Sequence, residues 1–250
     1  REAAARHPDK LAPIVLAAAD LRRLGRPQEA LILLQGAASK VGDETAFTDR
    51  DKRFNWYWNE VASTEAMLGH YDQAVAAYAK AAAFGENGTP NVSQVINLAQ
   101  TQNRFGRGAD ALKTLAVFSD PKRQGSPYGE MQLRYARACA NHLAGHDSDT
   151  AADLAYLKAH EKDGGSALDY ALICVGDLDS AAAALIRQLD DPERRADALL
   201  DLSDFDDPPV ALPPSPVAGR IEALEARADV KAAIGRAGGT RRFHILRVEM

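Results

Sequence analysis

A turn glycine that returns along the chain constrains this sequence more than any other feature. Gly25, Gly69, Gly106 and Gly176 each end a run of helix-forming residues, at intervals of 44, 37 and 70 residues. If the last interval holds two units, the period is about 35 residues, the length of one helical hairpin. Glycine takes up the left-handed backbone that closes a helix at little cost, so a periodic glycine predicts a periodic helix–turn–helix. Alanines return at helical spacing after each one: Ala30 and Ala37, Ala74 and Ala81, Ala111, then Ala181. Alanine is the strongest helix former, and its small side chain lets two helix axes approach closely. Val, Ile and Thr are sparse and no long alternating stretch occurs, so little strand is expected. With 46% hydrophobic residues the chain can bury a large apolar surface, which argues against disorder. A length of 250 residues suits a solenoid or two small domains better than one core.

One stretch carries the whole grammar. Trp58 and Ala62 precede Gly69, and Tyr71, Ala74, Tyr78 and Ala81 follow it. This pattern resembles the tetratricopeptide repeat family, in which a large residue and a small one mark the first helix, glycine the turn, and an aromatic, alanine, aromatic and alanine the second. The resemblance implies an all-α fold: a right-handed α-solenoid, or superhelix, of antiparallel helix pairs. Small residues such as Ala62 and Ala74 sit where the two helices touch, and Trp58, Tyr71 and Tyr78 fill seams. Five units are expected within 1–190, at about 11–39, 55–84, 92–119, 131–161 and 165–189, with an insertion from Lys40 to Arg53. The fourth turns near Gly145. Residues 191–237 read as a divergent helical pair: one helix over 192–203, a Pro- and Asp-rich connector over 204–216, and one capping helix over 217–236. The irregular tail, 238–250, is expected as a short strand or as a segment lying back on the array.

Charge and motifs exclude several classes of function. A net charge of -5 argues against duplex nucleic acid, whose phosphates need a basic face. No run of about 18 apolar residues is present, so no membrane span is expected. Phosphate-loop, nucleophile-elbow and zinc-protease motifs are absent from the sequence, so no catalytic residue and no cofactor is assigned. His142 and His146 have the four-residue spacing of metal ligands, with Asp147 adjacent. They lack a third ligand, and Gly145 between them ends the helix, so they read as a turn and no metal is expected. The acidic residues Asp201, Asp204, Asp206 and Asp207 lack the spacing of a calcium loop and read as a solvated connector. Cys139 and Cys174 read as small buried apolar side chains, with a disulfide between them left open. The sequence opens on Arg1 and not on methionine, which suits a fragment or a processed product. Compartment stays open between cytoplasmic and exported.

The resemblance also implies a function. In this family the first helices form a concave wall that binds a peptide or a partner protein. The inward positions fall on Trp56, Asn59, Ser63 and Met67 in unit two. They fall on Ser93, Ile96, Asn97, Gln100, Asn103 and Arg104 in unit three, and on Arg134, Arg137 and Asn141 in unit four. Amides offer both donors and acceptors to a peptide backbone, and arginine grips a carboxylate with two bonds. Arg137 and Asn141 match in kind the pairing with which some members clamp a terminal carboxylate. The expected function is a non-catalytic interaction scaffold. Two alternatives stand beside it: a merely solvated polar face, and a regulatory or recruiting domain of a larger sensor or enzyme.

Overall fold

The computed structural model describes residues 6–86, 88–123, 125–206 and 217–246. Among them the chain forms five helical hairpins. These are α1 (Ala12–Arg23) with α2 (Pro27–Val41), α3 (Arg50–Met67) with α4 (Tyr71–Ala82), and α5 (Ser93–Arg104) with α6 (Gly108–Leu115). Then follow α7 (Pro127–Ala144) with α8 (Asp147–Ala159), and α9 (Ala167–Val175) with α10 (Leu178–Asp190).

The five turns are built alike. Gly25, Gly69, Gly106, Gly145 and Gly176 hold φ between 70° and 81°. The residue after each glycine sends its N–H back to a carbonyl near the helix end. The pairs are Arg26 to Leu21, His70 to Glu65, Arg107 to Gln102, His146 to Asn141 and Asp177 to Leu172. That bond satisfies a carbonyl the helix leaves without a partner, and it needs the left-handed residue that glycine supplies.

Small residues set the helix contacts. Ala62 and Ala74 have no exposed surface in the α3–α4 hairpin. A Cβ on Gly108 would stand 2.6 Å from Leu143 Cβ and 2.7 Å from the Ala140 carbonyl, so α6 begins pressed against α7. Aromatics bridge the units: the Tyr71 and Phe105 rings lie 5.0 Å apart, and Trp58 packs against the core of units one and two. The stretch expected as an insertion is shorter, since α2 runs to Val41 and α3 starts at Arg50. Its Asp49 carboxylate accepts from the N–H groups of Leu11 (2.7 Å) and Ala12 (2.9 Å), which ties the loop to the start of α1. Phe47 is buried beneath it.

Beyond Asp190 the structure corrects the sequence reading. After α11 (Arg195–Asp201), the segment expected as one capping helix is two, α12 (Ala218–Ala226) and α13 (Ala228–Ala237). The break falls at Arg227, whose backbone is extended with ψ 139°. Its guanidinium donates to Asp229 at 3.0 Å and to Asp179 at 2.7 Å, which pins the corner to α10. The connector begins as a strand, β1 (Asp204–Asp206), paired in parallel with β2 (Arg242–Leu246). The Phe205 and Phe243 rings stack at 5.4 Å. The remainder of the connector, 207–216 with Asp207, and the last tail residues, 247–250, lie outside the described residues. Strand β2 also touches α1, so the tail is both a strand and a return onto the start of the array.

Cys139 on α7 and Cys174 on α9 are joined in a disulfide, with Cα atoms 5.6 Å apart. The reading as two separate apolar side chains is thereby corrected, although both are buried as expected. Among the described residues no helix is long and apolar enough to cross a membrane.

Candidate functional site

The first helices α1, α3, α5, α7 and α9 pack each on the next, while the second helices pack on first helices of their own and the following unit. The first helices therefore line one continuous wall. Polar links run along it, and each joins residues about one repeat apart. Arg22–Glu60, Asn55–Gln94, Asn59–Asn97 and Gln100–Gln132 are separated by 38, 39, 38 and 32 residues, and the cysteines by 35. Stacked copies bring equivalent positions side by side, so a polar residue in one unit meets its counterpart in the next.

The deeper links are structural. Arg22 and Glu60 form a two-bonded ion pair at 2.5 and 3.2 Å, with both side chains less than a tenth exposed. Below it the Tyr57 hydroxyl donates to the Leu34 carbonyl at 2.8 Å, and burial pushes its pKa up to about 12. Asn55 and Asn91 both donate to the Gln94 side-chain oxygen, at 3.1 and 2.5 Å, and all three are buried. The outer links are half-buried. Asn97 donates to Asn59 at 2.8 Å, and Gln100 donates to Gln132 at 3.1 Å. Trp56 on α3 and Arg104 at the end of α5 are half-buried as well.

Other expected wall residues are committed elsewhere. The Ser63 hydroxyl lies 2.9 Å from Tyr78 Oη, on the second helix of its own unit. Ile96 belongs to the core, Asn103 is buried and donates to the Ala136 carbonyl, and Ser93 donates to Glu86. In unit four the difference is larger. Arg137 grips Asp153 of α8 with two bonds, at 2.8 and 2.6 Å, and Arg134 adds a third at 3.1 Å. Arg134 also pairs with Glu130 and lies over the Tyr156 ring at 4.3 Å. Asp153 is 2% exposed, and a carboxylate so buried requires countercharges. The pairing raises the Arg137 pKa further, which keeps it cationic. Asn141 is buried beside the turn, 3.4 Å from His146 Nδ1. Arg137 and Asn141 thus form no open carboxylate clamp, because Arg137 already holds a carboxylate of its own chain.

Gln132, Asn55, Asn91 and Gln94 escaped the sequence reading. The usable signal was the polar run Gln94, Asn97, Gln100 and Asn103, at three-residue steps along one helix. His142 closes α7 and His146 follows Gly145, and among the described residues no group of three or more potential ligands could hold a metal ion.

Helical hairpins closed by left-handed glycines, stacked through small residues and lined by first helices, define a helical-repeat array. Residues 6–49 and 58–126 match the family model described as tetratrico peptide repeat. Over those residues, which carry units one to three, the chain is a tetratricopeptide repeat array, and repeats of this family generally mediate protein–protein interaction without catalysis. No curated protein and no solved structure gives a significant match to it.

Proposed function

We propose that the chain is a non-catalytic scaffold that binds an extended peptide segment of a partner protein along the wall of units two to four. The proposed contact residues are Trp56, Asn59, Asn97, Gln100 and Arg104, joined by Gln132. The observation that carries this reading is the pair of half-buried amide links Asn59–Asn97 and Gln100–Gln132. Each amide presents donors and acceptors together, as a peptide backbone does. A peptide laid along the wall replaces amide–amide bonds with amide–peptide bonds of the same kind, so binding leaves few polar groups without partners. Trp56 supplies the aromatic surface that anchors such interfaces.

The Cys139–Cys174 disulfide supports an oxidising compartment as the place where the scaffold works, since thiols elsewhere are kept reduced. A displayed peptide library selected on the wild-type chain tests the binding proposal. Enriched peptides are expected to bind the wild type and to lose about tenfold or more of their affinity for Asn59→Ala/Asn97→Ala/Gln100→Ala, at an unchanged melting temperature. Equal binding to the triple variant, or no enrichment at all, refutes the proposal.

A further inference from the structure

Unit five and the helices after it line a small, partly open cleft that the amide-lined wall does not use. Ile173, Leu185, Ala198 and Leu224 make it apolar, while Asp169 and Gln188 form a polar end. Gln188 donates to one Asp169 oxygen at 2.6 Å. The other, Oδ1, is buried and has no hydrogen-bond partner among the described residues. A buried carboxylate oxygen without a donor is costly, and folds normally supply one. The nearby cation is already committed: Arg194 donates to Glu161 at 3.0 Å and to the Gly165 carbonyl at 3.3 Å. Apolar walls around one unsatisfied anionic acceptor define a ligand with a cationic donor head and an apolar body.

We propose that this cleft binds a small organic cation, an ammonium head on Asp169 with its apolar body against Ile173, Leu185 and Leu224. The site is separate from the amide-lined wall and stands or falls independently of it. Burial pushes the Asp169 pKa up to about 6, so the carboxyl is ionised at neutral pH and mostly protonated below its titration. A bound ammonium is therefore held at neutral pH and released in acid. The charged groups around Asp169 are Glu161, Arg194, Asp201 and Glu225.

Titration calorimetry with hexylammonium, hexan-1-ol and hexanoate tests this, because the first two share one hexyl body, the third is one methylene shorter, and all three differ in the head. At about pH 7.5, hexylammonium is expected to bind about tenfold more tightly than the alcohol, with hexanoate weakest. In Asp169→Asn the ammonium falls to the level of the alcohol. The wild-type chain at about pH 5, below the carboxyl's titration, does the same and serves if the variant does not fold. Measuring Asp169→Asn at both pH values separates Asp169 from its charged neighbours. Equal binding of all three probes, an ammonium affinity that survives Asp169→Asn, or no binding of hexylammonium overturns the proposal.

Discussion

Reduction of the Cys139–Cys174 disulfide is expected to destabilise one end of the array and spare the other. The bond joins adjacent first helices, and the ring it closes contains the whole of α8. With the cysteines 35 positions apart, chain entropy in the unfolded state assigns the crosslink about 4 kcal/mol. That is a large share of a typical domain stability of about 5–15 kcal/mol. Because each unit of a repeat array contacts only its neighbours, the loss is local. Hydrogen exchange with and without a phosphine reductant reads it directly. Amides of α7 to α10 exchange faster after reduction, while those of α1 to α4 keep their protection. Cys139→Ala/Cys174→Ala reproduces the reduced pattern without reductant. Protection lost evenly over the chain, or unchanged anywhere, refutes the reasoning.

Ala62→Leu and Ala74→Leu each overpack a fully buried position in the α3–α4 hairpin and are expected to lower stability by about 1–3 kcal/mol; an unaltered melting temperature would place them elsewhere. Arg22→Met or Glu60→Leu alone strands a buried charge and costs about 3–5 kcal/mol, whereas the double replacement costs less than either, as urea midpoints of the three variants will show. The Asp169 carboxyl has a folded pKa of about 6, above its ordinary 3.8, so the folded chain holds the proton more tightly between those values. Stability contributed by this group is therefore full below about pH 4 and declines as pH rises through 6, by up to about 3 kcal/mol. The stability difference between wild type and Asp169→Asn should follow that curve, and a flat difference contradicts it.

The parts of this fold legible in the sequence are those set by local rules. A left-handed turn admits few residues besides glycine, so Gly25, Gly69, Gly106 and Gly176 marked four hairpins, and Gly145 follows the same geometry. The helix break at Arg227 carries no glycine or proline to mark it, and of the two carboxylates that hold its guanidinium one, Asp179 on α10, is distant in sequence. Arg134 and Arg137 were misread because the buried Asp153 that binds them gives no signal in an otherwise exposed acidic stretch. The wall amides and the cysteines were half legible. Asn59, Asn97 and Gln100 stood out and Gln132 did not, but the pairings Asn59–Asn97, Gln100–Gln132 and Cys139–Cys174 emerge only when positions one repeat apart are laid side by side. Repeat spacing, applied to polar residues as it was to alanine and glycine, would have exposed all three pairs.

A photo-crosslinking residue on the wall tests the account most directly. Trp56, a proposed contact, lies on α3, a first helix, and the exposed Ala79 lies on α4, a second helix. With benzoylphenylalanine at Trp56 in the living source cells, a discrete partner adduct should form, and it should be lost when Asn59, Asn97 and Gln100 are replaced by alanine. The same probe at Ala79 should give no such adduct. An adduct at Ala79 and none at Trp56 would mean that partners dock on the second helices and that the amide wall is not the recognition surface.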